Sequence, residues 1–266
     1  MIRNWMILGC KEEYQQTVYI AHGILGSAQN WRGFASRWSK LRPLTRFVLM
    51  DLRNHGRSGP ADPPNTLEAA AQDLWSLGEE VGHPDVLIGH SFGGKVVLKY
   101  LESCPAHNPD QVWLLDSAVG SIEIDPADVP EVVQVIRTIR KIERPLPSRQ
   151  SLVTLLMQAG FTQGLSRWMT TNLTAVDGGY DWRFHIDGIE SMIMDYFKQD
   201  LWHLVELAQF SDVYVLRAKN SDRWTEEMVS RLQNSLAQLI ILPDSGHWVH
   251  VDNPEGLMTI LETHVI

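Results

Sequence analysis

Residues 85–103 run from a short aliphatic stretch, DVLI, through a glycine-bounded turn, Gly89-His90-Ser91-Phe92-Gly93-Gly94, into a helical pattern beginning KVVLKYL. A buried strand that feeds a helix through so tight a turn fits few architectures, chiefly a parallel sheet whose strands are joined by crossover helices. The same rhythm recurs on either side. Thr17 to Ile20, Arg46 to Met50 and Val112 to Leu115 are continuously apolar rather than alternating, as strands covered on both faces are. Helices are predicted at Asn30 to Lys40, Leu67 to Val81 and Gly93 to Ser103. The second has Thr66 as its cap and carries Leu67, Ala70, Ala71, Leu74, Leu77 and Val81 along one face.

From Asp125 to Leu207 the rhythm changes. Long amphipathic patterns appear (VPEVVQVIRTIRKIE, SRQSLVTLLMQAGF, DGIESMIMDYF) and no convincing buried strand does, which predicts a helical insertion. Strand and helix then alternate again at Val213 to Arg217, Glu226 to Leu236, Leu239 to Leu242 and Pro254 to Thr263, the last helix capped by Asn253 with Pro254 in its first turn. The organisation expected is an α/β core over 1–124, a helical cap over 125–207 inserted after the sixth strand, and the rest of the core over 208–266.

A chain of 266 residues, 44% of them apolar, is long enough to bury a sizeable core. No stretch approaches the roughly 18 uninterrupted apolar residues of a membrane helix, and the run Trp5 to Cys10 is too short for a signal-peptide core. A soluble, cytoplasmic protein is therefore expected. Cys10 and Cys104 lie far apart and suggest neither a disulfide framework nor a thiolate zinc site. The formal charge of −9 argues against a nucleic-acid partner, which needs a basic face. Nothing in the sequence indicates an oligomeric state.

The turn at 89–94 has the pattern G-x-S-x-G, weak by itself and informative because a strand precedes it and a helix follows. Its glycines allow a strained bend that presents the Ser91 hydroxyl above the sheet edge, near the positive end of a helix. A serine hydroxyl is a poor nucleophile at neutral pH, so it needs a base, and the base needs an acid to fix its tautomer. His247, in the turn Asp244-Ser245-Gly246-His247-Trp248 after the final strand, is the candidate base. His250 reads as surface or structural, and His90 as a packing residue of the turn. Two carboxylates are candidates for the acid. Asp222, after the strand VYVLRA, is preferred because it precedes His247 by one strand–helix unit; Asp116, at the end of VWLL, is the alternative and is otherwise left to pair with loop groups. Donors for a developing oxyanion are expected from the backbone amides of Phe92 and of Ile24, the latter in the loop His22-Gly23-Ile24-Leu25-Gly26. Taken without Ser91, that loop reads only as flexible.

In order along the chain, HGILGS, DLRNHGRS, GHSFGG and DSGHWVHVDNPE resemble the α/β-hydrolase superfamily over nearly the whole length apart from the insertion. Asp51 to Ser58 and Asp181 to Phe184 are similar to segments of small bacterial acyl esterases and related mitochondrial hydrolases. Asn54-His55 stands where the superfamily usually has glycine and a variable residue, a difference seen in that branch and read here as structural. The resemblance implies an α/β-hydrolase fold, a helical cap over the pocket, and an acid at the position of Asp222 in most members and of Asp116 in some. Serine at position 91 implies acyl chemistry, because relatives that form alkyl esters carry aspartate there.

The expected activity is hydrolysis of small carboxylic esters, or thioesters, through an acyl-enzyme. No metal or organic cofactor is implied. C–C bond hydrolysis, lyase or perhydrolase chemistry on the same residues, or a non-catalytic ligand-binding role, are the alternatives. Trp168, Trp182, Trp202, Met157, Met169, Met192 and Met194 are candidates to line an apolar acyl pocket, although their helical spacing predicts that most pack into the core.

Overall fold

The computed structural model describes residues 2–104, 106–208 and 211–265. Seven strands form one sheet. They are β1 (Trp5–Gly9), β2 (Gln16–Ala21), β3 (Thr45–Met50), β4 (Val86–His90), β5 (Gln111–Leu115), β8 (Asp212–Ala218) and β9 (Gln238–Leu242), and their order across the sheet is β1-β3-β2-β4-β5-β8-β9. β1 pairs antiparallel with β3, and every other pairing is parallel.

Successive side chains of a strand point to opposite faces, and here both faces are covered, which is why these strands read as unbroken apolar runs. Val18 and Ile20 of β2 belong to the layer beneath α1 (Ala28–Leu41) and α11 (Pro254–His264), together with Trp31, Trp38, Leu257 and Leu261. Tyr19 and Ala21 face the other way, onto α2 (Leu67–Val81) and α3 (Phe92–Ser103). The caps follow from local chemistry. Thr66 accepts from the Ala69 amide at 3.2 Å, and Asn253 from the Gly256 amide at 2.9 Å, each removing one orphan donor from a first helical turn.

Between β5 and β8 the chain forms α4 (Glu131–Arg140), α5 (Arg149–Gln158), α6 (Gln163–Met169), α7 (Ile186–Lys198) and α8 (Trp202–Leu207). Two departures from expectation lie in these parts. The insertion follows the fifth strand of the chain, not the sixth. It also contains a hairpin, β6 (Leu173–Val176) and β7 (Gly179–Trp182), whose residues are mostly half-buried or exposed and so carry no continuous apolar signal. No helix of the described residues is long and apolar enough to cross a membrane.

Parallel order places the C-terminal ends of β2, β4, β5, β8 and β9 along one edge of the sheet. In open α/β sheets that edge is where ligands meet the fold.

Candidate active site

Ser91 stands at the end of β4 with φ 52° and ψ −120°, in a region that a β-carbon resists. Its backbone is held from both sides. The Ser91 amide donates to the Leu115 carbonyl at 3.0 Å, and the Ser117 hydroxyl donates to the Ser91 carbonyl at 2.6 Å. At Gly89 a β-carbon would lie 2.3 Å from the carbonyl oxygen of Gly93, so the bend closes only with glycine there.

The structure brings His247 to this serine. His247 Nε2 is 2.9 Å from Ser91 Oγ, and Nδ1 is 2.7 Å from Asp116 Oδ2. These partners fit one tautomer, with Nδ1–H donating to the carboxylate and the bare Nε2 accepting from the hydroxyl.

It does not bring Asp222 there. The Asp222 side chain is 96% exposed, and its carboxylate faces Arg223 Nε at 3.8 Å. The expectation that Asp222 partners the imidazole is therefore corrected in favour of Asp116, whose side chain is fully buried. The physical reason is a set of donors. Asp116 has φ 47° at the end of β5 and accepts from the Ala218 amide at 3.0 Å, Ser221 Oγ at 2.6 Å and Trp224 Nε1 at 2.7 Å, besides His247. Burial would raise the Asp116 pKa, but the hydrogen bonds from His247, Ser221 and Trp224 outweigh it and hold the carboxyl below its ordinary value. The loop after β8, expected to carry the acid, carries donors to it instead. Ser221 and Trp224 were missed in the sequence, where a serine and a tryptophan flanking an aspartate give no distinctive pattern.

Ile24 and Phe92 line the same cavity as Ser91, from the loop after β2 and from the first residue of α3. The loop is fixed by groups that the segment Asp51 to Ser58 supplies. His55 Nε2 accepts from the Leu25 amide at 3.1 Å while its Nδ1–H donates to the Arg53 carbonyl at 2.8 Å. His22 Nε2 accepts from the Leu52 amide at 3.0 Å, and Asp51 Oδ1 accepts from the Ala28 amide at 2.8 Å. Burial, reinforced by His22, pushes the His55 pKa to about 3, and burial lowers that of His22 as well. Both are neutral rings serving as fixed donor–acceptor struts.

His90 and His250 complete the cluster around His247. His90 donates from Nε2 to the His247 carbonyl at 2.8 Å, and burial, then the nearby His247 and His250, hold its pKa far down. His250 is stacked on Trp31 with ring centroids 4.2 Å apart, and burial with His247 pushes its pKa to about 4.

The cavity above Ser91 has a volume of about 290 Å³. Its walls are mainly apolar and come from both halves of the molecule: Ile24, Phe92 and Trp248 from the sheet side, and Val135, Leu165, Trp168, Ile193 and Phe197 from the inserted segment. Of the seven tryptophans and methionines expected as candidates, Trp168 lines it. Trp182, Trp202, Met169 and Met192 are buried in the core, while Met157 and Met194 are exposed.

Lys95 ties the two halves together. One turn after Ser91, its ammonium is fully buried and donates to the carbonyls of Gly120, Tyr196 and Gln199 at 2.7, 2.8 and 2.8 Å, over the Tyr196 ring at 4.2 Å. Burial pulls its pKa down to about 7 against the carboxylates of Asp200 and Asp195; three accepting oxygens make an ammonium tolerable there. Replacing Lys95 by Met leaves these carbonyls unpaired at roughly 1–3 kcal/mol each. The expected result is a fall in melting temperature on the order of 10 °C, read by circular dichroism; a change within about 2 °C would refute the clasp.

A model of the alpha/beta hydrolase family matches residues 18–259, and the chain belongs to that family. It is 28% identical to the mouse sn-1-specific diacylglycerol lipase ABHD11, over 91% of this chain and 78% of that one. It is also 24% identical to the Escherichia coli esterase YbfF, over 93% and 92%. Among solved structures, a marine microorganism esterase superposes with a TM-score of 0.80 at 26% identity, covering 98% of both chains. These similarities support a hydrolase.

Proposed function

We propose that the protein is a carboxylic ester hydrolase acting through an acyl-enzyme on Ser91. The observation that carries the reading is the position of His247, hydrogen-bonded on one side to Ser91 Oγ and on the other to the buried carboxylate of Asp116, at the base of an apolar cavity. In this mechanism His247 Nε2 takes the hydroxyl proton as Ser91 Oγ attacks the ester carbonyl, and Asp116 stabilises the resulting imidazolium. The backbone amides of Phe92 and Ile24 hold the oxyanion, each such donor being worth about 3 kcal/mol. His247 then returns its proton to the leaving alkoxide, and water repeats the sequence to release the acid. Segment 125–207 serves as the cap, closing the acyl side of the cavity.

The kinship with an esterase and a lipase supports the same reading. A cavity of about 290 Å³ is at the small end for ligand pockets. It suits a short to medium neutral acyl chain. The test is a series of p-nitrophenyl esters of increasing acyl length. Each added methylene is expected to raise kcat/KM up to about fourfold, from about 0.8 kcal/mol of burial, until the cavity is full. Long-chain esters then fall away. No turnover of any member would contradict the esterase, and an activity that ignores chain length would contradict the acyl pocket.

A further inference from the structure

We infer that Glu79, His83 and His107 form a surface site for a borderline divalent cation such as Zn²⁺, independent of the chemistry at Ser91. The ligand atoms these three residues offer all lie within 4.8 Å of one another. Two imidazoles and a carboxylate are a donor set that suits zinc and its neighbours, and a water would complete four-coordination. The sequence carries no sign of it, since Glu79 and His83 are separated by 24 or more residues from His107 and match no ligand spacing.

His83 is held in place before any ion arrives. It sits just past the end of α2, with its ring against Gly78, where a β-carbon would come 2.2 Å from Nδ1. Nδ1 is 3.1 Å from the hydroxyl of the buried Tyr100, and Nε2 is 3.0 Å from Glu79 Oε1. Without an ion these contacts fit Nε2–H donating to the Glu79 carboxylate and Nδ1 accepting from the Tyr100 hydroxyl. An ion at Nε2 replaces that proton, and the ring moves to its Nδ1–H tautomer with the Tyr100 oxygen as acceptor, so the second nitrogen still orients the ligand. His107, exposed in the loop between α3 and β5, stacks on His83 with ring centroids 4.2 Å apart and planes 15° from parallel. In a tetrahedral zinc site with bonds of about 2.1 Å, ligand atoms lie about 3.4 Å apart. Glu79 and His83 are already in contact at 3.0 Å, and the exposed His107 ring has to turn out of its stack on His83 for its lone pair to converge on the same ion.

The site lies at the N-terminal end of β4. Ser91 follows the other end, and the five residues of β4 alone separate the two by roughly 16 Å at about 3.3 Å per residue. A bound ion there joins α2 to the loop that leads into β5, so it acts on stability and on the order of that loop rather than on the reacting atoms.

Equilibrium dialysis of the full-length protein against Zn²⁺, with His107→Ala, Glu79→Gln and His247→Ala variants, tests the inference. The expected result is one tightly held ion per chain, at least tenfold weaker in His107→Ala and in Glu79→Gln and unchanged in His247→Ala. Both surface variants are expected to keep the melting temperature of the metal-free protein and its Ser91-dependent ester turnover, which separates loss of the site from loss of the fold or of the proposed hydrolase. Co²⁺ in place of Zn²⁺ should give the visible bands of a tetrahedral ion in the wild type and lose them in His107→Ala. Absence of tight binding in the wild type, or binding abolished by His247→Ala and indifferent to His107→Ala, would overturn it.

Discussion

Ester turnover by Ser91→Ala is expected to fall by roughly 10⁵- to 10⁶-fold, to a residue set by binding and by backbone donors alone. The size of the effect follows from what the side chain does. Without Oγ there is no atom to form the acyl-enzyme, and His247 has no proton to accept, so removing the serine disables the whole relay rather than one of several parallel contributions. The substitution should leave the fold intact, because the contacts that hold the strained backbone at position 91 run through its amide and carbonyl, to Leu115 and Ser117, and not through its hydroxyl. Turnover by Ser91→Ala within tenfold of the wild type, at equal melting temperature, would mean that this serine is not the nucleophile.

Asp116→Asn is expected to lower kcat by about 10³- to 10⁴-fold, and Asp222→Asn to change it by less than about twofold. At position 116 the Ala218 amide and the Trp224 indole N–H already point at one carboxylate oxygen, at 3.0 and 2.7 Å. An asparagine therefore leaves its carbonyl oxygen on those donors and turns its NH₂ toward His247 Nδ1. That reverses the hydrogen bond, places the imidazole proton on Nε2, and removes the lone pair that would accept from Ser91. The fold change corresponds to about 4–5 kcal/mol of transition-state stabilisation. Asp222 has no such connection: its side chain is 96% exposed and faces Arg223 across 3.8 Å. The opposite ranking of the two variants would restore Asp222 as the partner of the base.

The contrast between these aspartates shows where sequence reasoning stops. Both follow strands that are neighbours in the sheet, β5 and β8, and both end at the same edge. Chain order and spacing are satisfied by either. What separates them is non-local: a positive φ at Asp116 and donors from Ser221 and Trp224, 105 and 108 residues further along, that collect one carboxylate and leave the other in solvent. The central strands were legible as unbroken apolar runs, because both faces of the sheet are covered, and the helices from their periodic apolar faces, α2 to the residue from Thr66 and its stripe. β1 was not read as a strand, since WMILG is five residues at a sheet edge with no alternation to mark it. The hairpin inside 125–207 was missed for the related reason that its short strands have no apolar face of their own. The roles of His22 and His55 as neutral struts behind the Ile24 loop depend on full burial, which no local pattern reveals.

Catalysis by this arrangement requires an activated hydroxyl at Ser91, and a fluorophosphonate probe measures that property directly. Intact mass and peptide mapping after brief labelling should find a single adduct per chain, on Ser91, formed far more slowly in His247→Ala and in Asp116→Asn and at the wild-type rate in Asp222→Asn. A protein that takes up no label, or that carries it on another residue, would contradict the mechanism at its root.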